Sequence, residues 1–253
     1  MSRTLAWDGL ENVRDLGGLA TEDGSVTRFG VIVRADNIRR LRSMRTLVEH
    51  GVSRVVDLRF PVERAEDGLA ELPVEVVHVS LLGEWDDDYR EMLEARMTQT
   101  DAAEYLRWSY LEFLDRFRPN FGTAVGEIAA APPGTVCVHC VGGRDRTGLV
   151  SALVLRLAGV SVADVARDYA ESEQRLAASH AVWVAAAADA EERTRREVFA
   201  QAPASVMADV VGALERRHGS VRGYLIAAGA SPAALHGLRA RLRGEDAQPN
   251  VNE

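Results

Sequence analysis

The sequence predicts an α/β fold, a mainly parallel central sheet flanked by helices, and three observations predict it. Short β-branched runs bounded by Gly or Pro recur at 30–34, 52–59, 74–81 and 134–140, as buried or half-buried strands do. Segments with helical spacing lie between them, so strand and helix alternate. The last run leads at once into Thr147 to Leu157, which is apolar almost all round, as expected of a helix packed on several sides.

Gly30-Val-Ile-Val-Arg34 is the first expected strand, and Leu41 to His50, closed by Gly51, has the spacing and C-terminal glycine of a helix. Val52 to Arg59 and Val74 to Leu81 are the next two strands. From Asp101 to about Ala130, Tyr105, Trp108, Leu111, Phe113 and Leu114 recur at helical intervals, and Pro119 divides the stretch into two helices. Gly134 to Cys140 is the fourth strand. Gly159 stands where a helix C-cap belongs, and Ser161-Val-Ala-Asp164 has the form of a capping box that opens another helix. Residues 173–212 are Ala-rich and then charged (AEERTRREVF), which leaves two readings open, a helical lid over a site or a solvated surface. The expected organisation is one domain over 1–243, with 244–253 (GEDAQPNVNE) as a disordered tail and no internal repeat.

The composition bounds the function. Of 253 residues 47% are apolar and 27% charged, and the net charge of −8 argues against nucleic acid or an anionic membrane surface as a partner. Every one of the 30 positive side chains is Arg, so Schiff-base lysine chemistry is excluded. Two cysteines, Cys137 and Cys140, are too few for a disulfide framework; with no apolar stretch of signal-peptide or membrane-spanning type, a cytoplasmic protein is expected. They spell C-x-x-C without a second ligand pair, so no metal or other cofactor is expected. Cys137 fits a strand interior, with a protective disulfide to Cys140 as the alternative.

The chemistry is concentrated in His139-Cys-Val-Gly-Gly-Arg-Asp-Arg-Thr-Gly148, between a strand and the buried helix. Free amide groups and the positive end of the helix dipole make such a junction an anion cradle, to which Val141, Gly142, Gly143, Arg144, Asp145 and Arg146 contribute. Gly142 and Gly143 permit positive φ and close approach to a ligand. Arg146 can curl back to grip two phosphate oxygens with its planar fork. Cys140 sits at the floor, where its surroundings favour the thiolate and hence a nucleophile. Thr147 is placed to donate its hydroxyl to that sulfur, and His139 braces the loop. Asp57 and Arg59 end a strand at its C-terminal edge, where open α/β sheets collect ligand contacts, and are expected in the site wall.

Cys-x5-Arg-Thr in the form HCxxGxDRTG resembles the phosphate-binding signature of the cysteine-dependent protein tyrosine phosphatases, in particular their atypical bacterial branch. Asn12-Val-Arg-Asp-Leu-Gly-Gly18 resembles that branch's NFRDLGG element, Val55-Val-Asp-Leu-Arg59 its VxDLR strand end, and Gly219 to Ser231 its C-terminal helix-turn. The likeness covers about four fifths of the chain. It implies a tyrosine-phosphatase-like fold and phosphomonoester hydrolysis in two displacements through a phosphocysteine. The implied partners are phosphorylated proteins, with phosphoserine, phosphothreonine and phosphoinositides also accepted within the branch. Arg144 stands where the branch usually has Lys, which weakens the phosphoinositide expectation.

The residues leave several alternatives open. The general acid is either Asp145, favoured by analogy with other DRT loops, or one of Glu84, Asp86, Asp87 and Asp88 on a mobile loop. Arg14 and Asp15 either support the site, as the resemblance implies, or form a surface salt bridge. The alternative substrate is a small phosphorylated metabolite, such as a nucleotide, sugar or inositol phosphate. A silent phosphate-binding module and a rhodanese-type sulfurtransferase are the remaining alternatives, disfavoured because Cys140 and Arg146-Thr147 are all present.

Overall fold

The computed structural model describes residues 2–67 and 72–245. Five strands form one sheet in the order β1-β2-β5-β3-β4. These are β1 (Arg14–Asp15), β2 (Ile32–Ala35), β3 (Val52–Asp57), β4 (Glu75–His78) and β5 (Thr135–His139). All pairings are parallel except that of β1 with β2. The four foreseen strands are present, each shorter than its β-branched run, and β4 only half as long as the run at 74–81. β1 is too short to leave a sequence pattern and is held by its partner.

The register fixes the site. Ala35 and Asp57 flank His139 on either side, so three strands end level and the 140–144 loop starts at their C-terminal edge. One sheet face carries the large core: Val136 and Val138 meet α6 (Asp145–Leu157), with α5 (Arg118–Ala129), α4 (Ala102–Arg116) and α9 (Ala204–His218) behind it. The other face is smaller, with Trp7, Ile38, Leu41 and Leu47 packed on Val33, Val55 and Cys137. Alternation along β5 therefore turns Cys137 away from the face that leads to Cys140. No disulfide joins the two thiols.

Helix boundaries follow local chemistry. Pro119 falls in the first turn of α5 and so separates it from α4, while Ser161 caps α7 (Val162–Ala185) by accepting from the Asp164 amide at 3.1 Å. The expected helix at 41–50 is reduced to α1 (Arg45–Glu49), after a 3-10 turn at Ile38–Arg40. α2 (Pro61–Ala65) and α10 (Val221–Ala227) are short. The alternative that put Glu84, Asp86, Asp87 and Asp88 on a mobile loop meets a helix start instead: Asp86 caps α3 (Asp87–Gln99) at 2.8 Å, and Tyr89, Leu93 and Met97 bury one narrow stripe of it.

The segment at 173–212 is divided. The end of α7 and α8 (Ala190–Ala200) lie over the sheet edge, whereas α9 buries Val206, Met207, Val210, Val211 and Leu214 and belongs to the core. α11 (Pro232–Arg243) ends at Gly244, and residues 246–253 of the expected tail lie outside the described residues. Among the described residues no helix is long and apolar enough to cross a membrane.

Candidate active site

The loop between β5 and α6 is held from outside. The Val141 carbonyl accepts from the Asn37 amide at 2.9 Å, the Gly142 carbonyl from Asn12 Nδ2 at 2.9 Å and the Gly143 carbonyl from Arg34 Nη2 at 2.8 Å. Because a peptide unit is planar and trans, three carbonyls drawn outward turn the amides of Gly142, Gly143 and Arg144 to the opposite side. That side faces a cavity of about 560 Å³, which Cys140, Val141, Gly142, Arg144, Asp145 and Arg146 line. The start of α6 adds its dipole there. Gly143 has φ +65° and a Cβ on it would collide with the Ala35 carbonyl; Gly142 has ordinary backbone, so only one of the two glycines is needed for a left-handed turn.

Arg146 lies beside Cys140 and is gripped by Glu63, with Nη1 to Oε2 at 2.5 Å and Nη2 to Oε1 at 2.8 Å. Its guanidinium also stands 5.0 Å above the Phe60 ring. Burial works against its charge, but the Glu63 bond and the charges of Cys140 and Glu63 prevail, so its proton is held more firmly than usual. Glu63 was not foreseen. It sits in the first turn of α2, where Oε2 also accepts from the Phe60 amide at 2.7 Å, a reach-back familiar from capping boxes and the one sequence signal that would have singled it out.

The expectation that Asp57 and Arg59 form the site wall is corrected: both are buried, neither lines the Cys140 cavity, and they face each other, with Arg59 Nε and Nη2 both 2.9 Å from the Asp57 carboxylate. Burial alone would raise Asp57; the Arg59 bond and the charges of His139 and Arg59 bring it down to about 2. Arg59 Nη1 reaches the Glu63 carbonyl at 3.3 Å, so the pair positions α2 and, through it, Arg146. His139 lies 3.7 Å from Asp57, and its Nδ1 is 3.1 Å from the Cys140 carbonyl. Burial lowers it to about 4 against the pull of Asp57, so it is neutral at neutral pH and suited to bracing.

Arg14 is fully buried, which overturns the surface salt bridge. Its Nε donates to Asp168 Oδ1 at 3.0 Å and its Nη1 to Asn12 Oδ1 at 2.6 Å, while Arg34 Nη1 donates to Asp168 Oδ2 at 2.5 Å. Burial opposes ionisation of Asp168, but Arg14, Arg34 and Arg3 outweigh it and hold the carboxylate well below its ordinary range. Arg34 and Asp168 were not foreseen; together they tie α7 to the Gly143 carbonyl. Asp15 does not reach the cradle, since it accepts from the Gly17 amide at 2.7 Å and the Gly30 amide at 2.8 Å and so shapes the turn after β1.

Asp145 lines the cavity with both oxygens engaged. Arg144 Nε and Nη2 donate to it at 3.1 Å, and so does the Tyr110 hydroxyl, itself 2.8 Å from the Tyr169 hydroxyl. Glu84, Asp86, Asp87 and Asp88 are exposed around the start of α3, and none lines the Cys140 cavity. The Thr147 hydroxyl is buried without a hydrogen-bond partner, so the expected bond to the Cys140 sulfur is not formed here. Burial pushes the Cys137 thiol far up, in keeping with plain core packing. Leu176, Ser179, His180 and Trp183 of α7 and Phe199 of α8 complete the cavity wall. Arg40, exposed after β2, stands at the rim.

The chain is similar to known proteins. A tyrosine-protein phosphatase of Nostoc commune is 30% identical over 201 residues, covering 76% of this chain and 66% of its own length. The triple specificity protein phosphatase PtpB of Mycobacterium tuberculosis is 29% identical over 272 residues, covering 93% of this chain and 98% of its own. The chain thus spans just under two thirds of the first relative and nearly all of the second. The sequence model of the tyrosine phosphatase family matches residues 5–244, and the chain belongs to that family.

Proposed function

We propose that this protein hydrolyses phosphomonoesters through a cysteinyl phosphate, with phosphotyrosine in proteins as its principal substrate. The observation that carries the proposal is the loop itself, whose three carbonyls are tied outward around Cys140 while Arg146 is fixed at its rim. The substrate phosphate lies on the amides of Gly142, Gly143 and Arg144 and takes two bonds from Arg146. Cys140 Sγ, as thiolate, attacks phosphorus in line; the S–P bond forms as the P–O bond to the leaving group breaks. Asp145 gives the departing oxygen its proton, after releasing Arg144 to take one up, and then draws a proton from the water that cleaves the phosphocysteine. Thr147, with an unengaged hydroxyl at the helix start, donates to the sulfur as it leaves. His139 braces the loop, Asp57 and Arg59 hold α2, and Arg14 acts through Asp168.

Catalysis of this kind is positioning and charge stabilisation in a preformed cradle. The names of the two relatives support protein phosphate as substrate, and an aromatic-lined chamber beside Asp145 suits an aryl leaving group. The test is phosphate release by wild type and Cys140→Ser in the presence of a chelator, against phosphotyrosyl and phosphoseryl peptides, inositol phosphates and nucleotides. Wild type is expected to release phosphate from the phosphotyrosyl peptides foremost, with a loss of about 10⁴-fold or more in the variant. Thiosulfate turnover without phosphate release overturns the proposal, and preference for a nucleotide or inositol phosphate moves the substrate to the metabolite class.

A further inference from the structure

We propose that the same site also hydrolyses phosphomonoesters of simple hydrocarbon alcohols, with the alkyl or isoprenoid chain lying in an apolar chamber beside Arg146. The inference rests on phosphomonoester hydrolysis at Cys140 and extends it to a further substrate class. The chamber measures about 370 Å³, and Asp145, Arg146 and Phe199 line both it and the Cys140 cavity, so the two spaces adjoin at the proposed proton donor. A phosphate held on the loop can therefore send its leaving group into the chamber.

The walls select what enters. The interior is formed by Leu93 and Met97 of α3, Tyr105, Leu106 and Phe113 of α4, and Trp85. Arg90 and Glu94, both exposed, stand among the polar side chains of its lining. The backbone groups of the two helices are used within the helices, so the interior has little to offer a peptide. A peptide segment drawn inside would strand its amides at ~1–3 kcal/mol each, whereas a hydrocarbon strands nothing. Size points the same way: a cavity of ~150 Å³ is enough to hold benzene, so this chamber exceeds one tyrosine ring more than twofold. Met97 adds a side chain that adapts to irregular shapes. The step balances as for an aryl ester: Cys140 forms the S–P bond, the P–O bond breaks, Asp145 protonates the alkoxide, and water then returns the thiol and inorganic phosphate.

The test uses the full-length protein and n-alkyl phosphates from butyl to decyl, below their critical micelle concentrations, with phenyl phosphate as reference. In wild type kcat/KM is expected to rise about three- to fourfold with each methylene until the chamber is full. Met97→Trp and Leu93→Trp fill the chamber from successive turns of α3, and each is expected to lower the decyl-to-butyl ratio of kcat/KM by about tenfold or more. The ratio does not depend on the fraction of correctly folded enzyme, so a poorly folding variant still answers. A flat alkyl series with phenyl phosphate hydrolysed overturns this proposal alone, as does a steep series unchanged in both variants. Absence of phosphate release from any ester overturns the underlying activity as well.

Discussion

Glu63 ends a line of contacts from β3: Asp57 fixes Arg59, Arg59 reaches the Glu63 carbonyl, and the Glu63 carboxylate aligns Arg146. Glu63→Gln keeps an acceptor for the Phe60 amide but removes the charge and the symmetric fork, and is expected to lower kcat/KM for phosphotyrosyl peptide by about tenfold or more, with little change in urea midpoint. His139 predicts a pH effect of definite sign. Burial lowers it from 6.5 to about 4, so in that window the unfolded chain binds a proton that the folded protein refuses. Stability therefore falls as pH drops from 6.5 toward 4, by up to ~3 kcal/mol, and is unaffected by this residue above that range. Urea unfolding at pH 7 and pH 4.5 checks it: His139→Asn should show a smaller difference between the two than wild type. The candidate residues could be picked out because Cys140, Gly143, Asp145 and Arg146 adjoin in sequence. Their supports were not, since Glu63 meets Arg146 across 83 positions and Arg34 meets Gly143 across 109.

At the level of elements, Asp168 is the buried carboxylate that ties α7 to β1 and β2, with Glu171 and Ser172 of the same helix beside it. Asp168 stands between Arg14 and Arg34, both wholly buried, and its replacement by Asn would take the carboxylate from Arg34 and leave Arg14 with Glu171 alone, 3.6 Å away. Such a loss costs ~3–5 kcal/mol, and equilibrium unfolding of Asp168→Asn is the measurement. α5 and α10 meet so closely at Gly122 that a Cβ there would strike the Ala228 carbonyl. Gly122→Ala should lower the thermal midpoint measurably, whereas Gly126→Ala on the same helix, with open space at its Cβ position, should leave it unchanged or raise it. The strands β2 to β5 were readable because β-branched runs between glycines have few alternatives. α3 was not: its buried stripe is only Tyr89, Leu93 and Met97, and the acidic run before it reads as loop until Asp86 is seen as a cap. In α7 the sequence shows where the helix starts but not what its far end covers, because that depends on the partner surface.

Across the whole molecule, a net charge of −8 coexists with a cavity lined by Arg40, Arg144 and Arg146, the last two paired with Asp145 and Glu63, so the proposed phosphate binding is a local property. Inorganic phosphate is expected to raise the thermal midpoint of wild type, by the equivalent of ~2.7 kcal/mol at a hundredfold excess over Kd, and to leave Arg146→Met nearly unmoved. Trp183, in the cavity wall, gives an independent fluorescence readout of the same event. The groups that hold the loop open, Asn12, Arg34 and the Asn37 amide, all belong to the first forty residues, whereas the loop begins a hundred residues later. Grafting the signature peptide onto a foreign strand and helix would transplant every reactive atom and none of its struts, and the graft should collapse onto its own amides. The struts precede Cys140 in the chain, yet β5 is the strand that joins β2 to β3, and Asp168 of α7 holds Arg34, so the frame closes only once the loop and the helices after it have joined it.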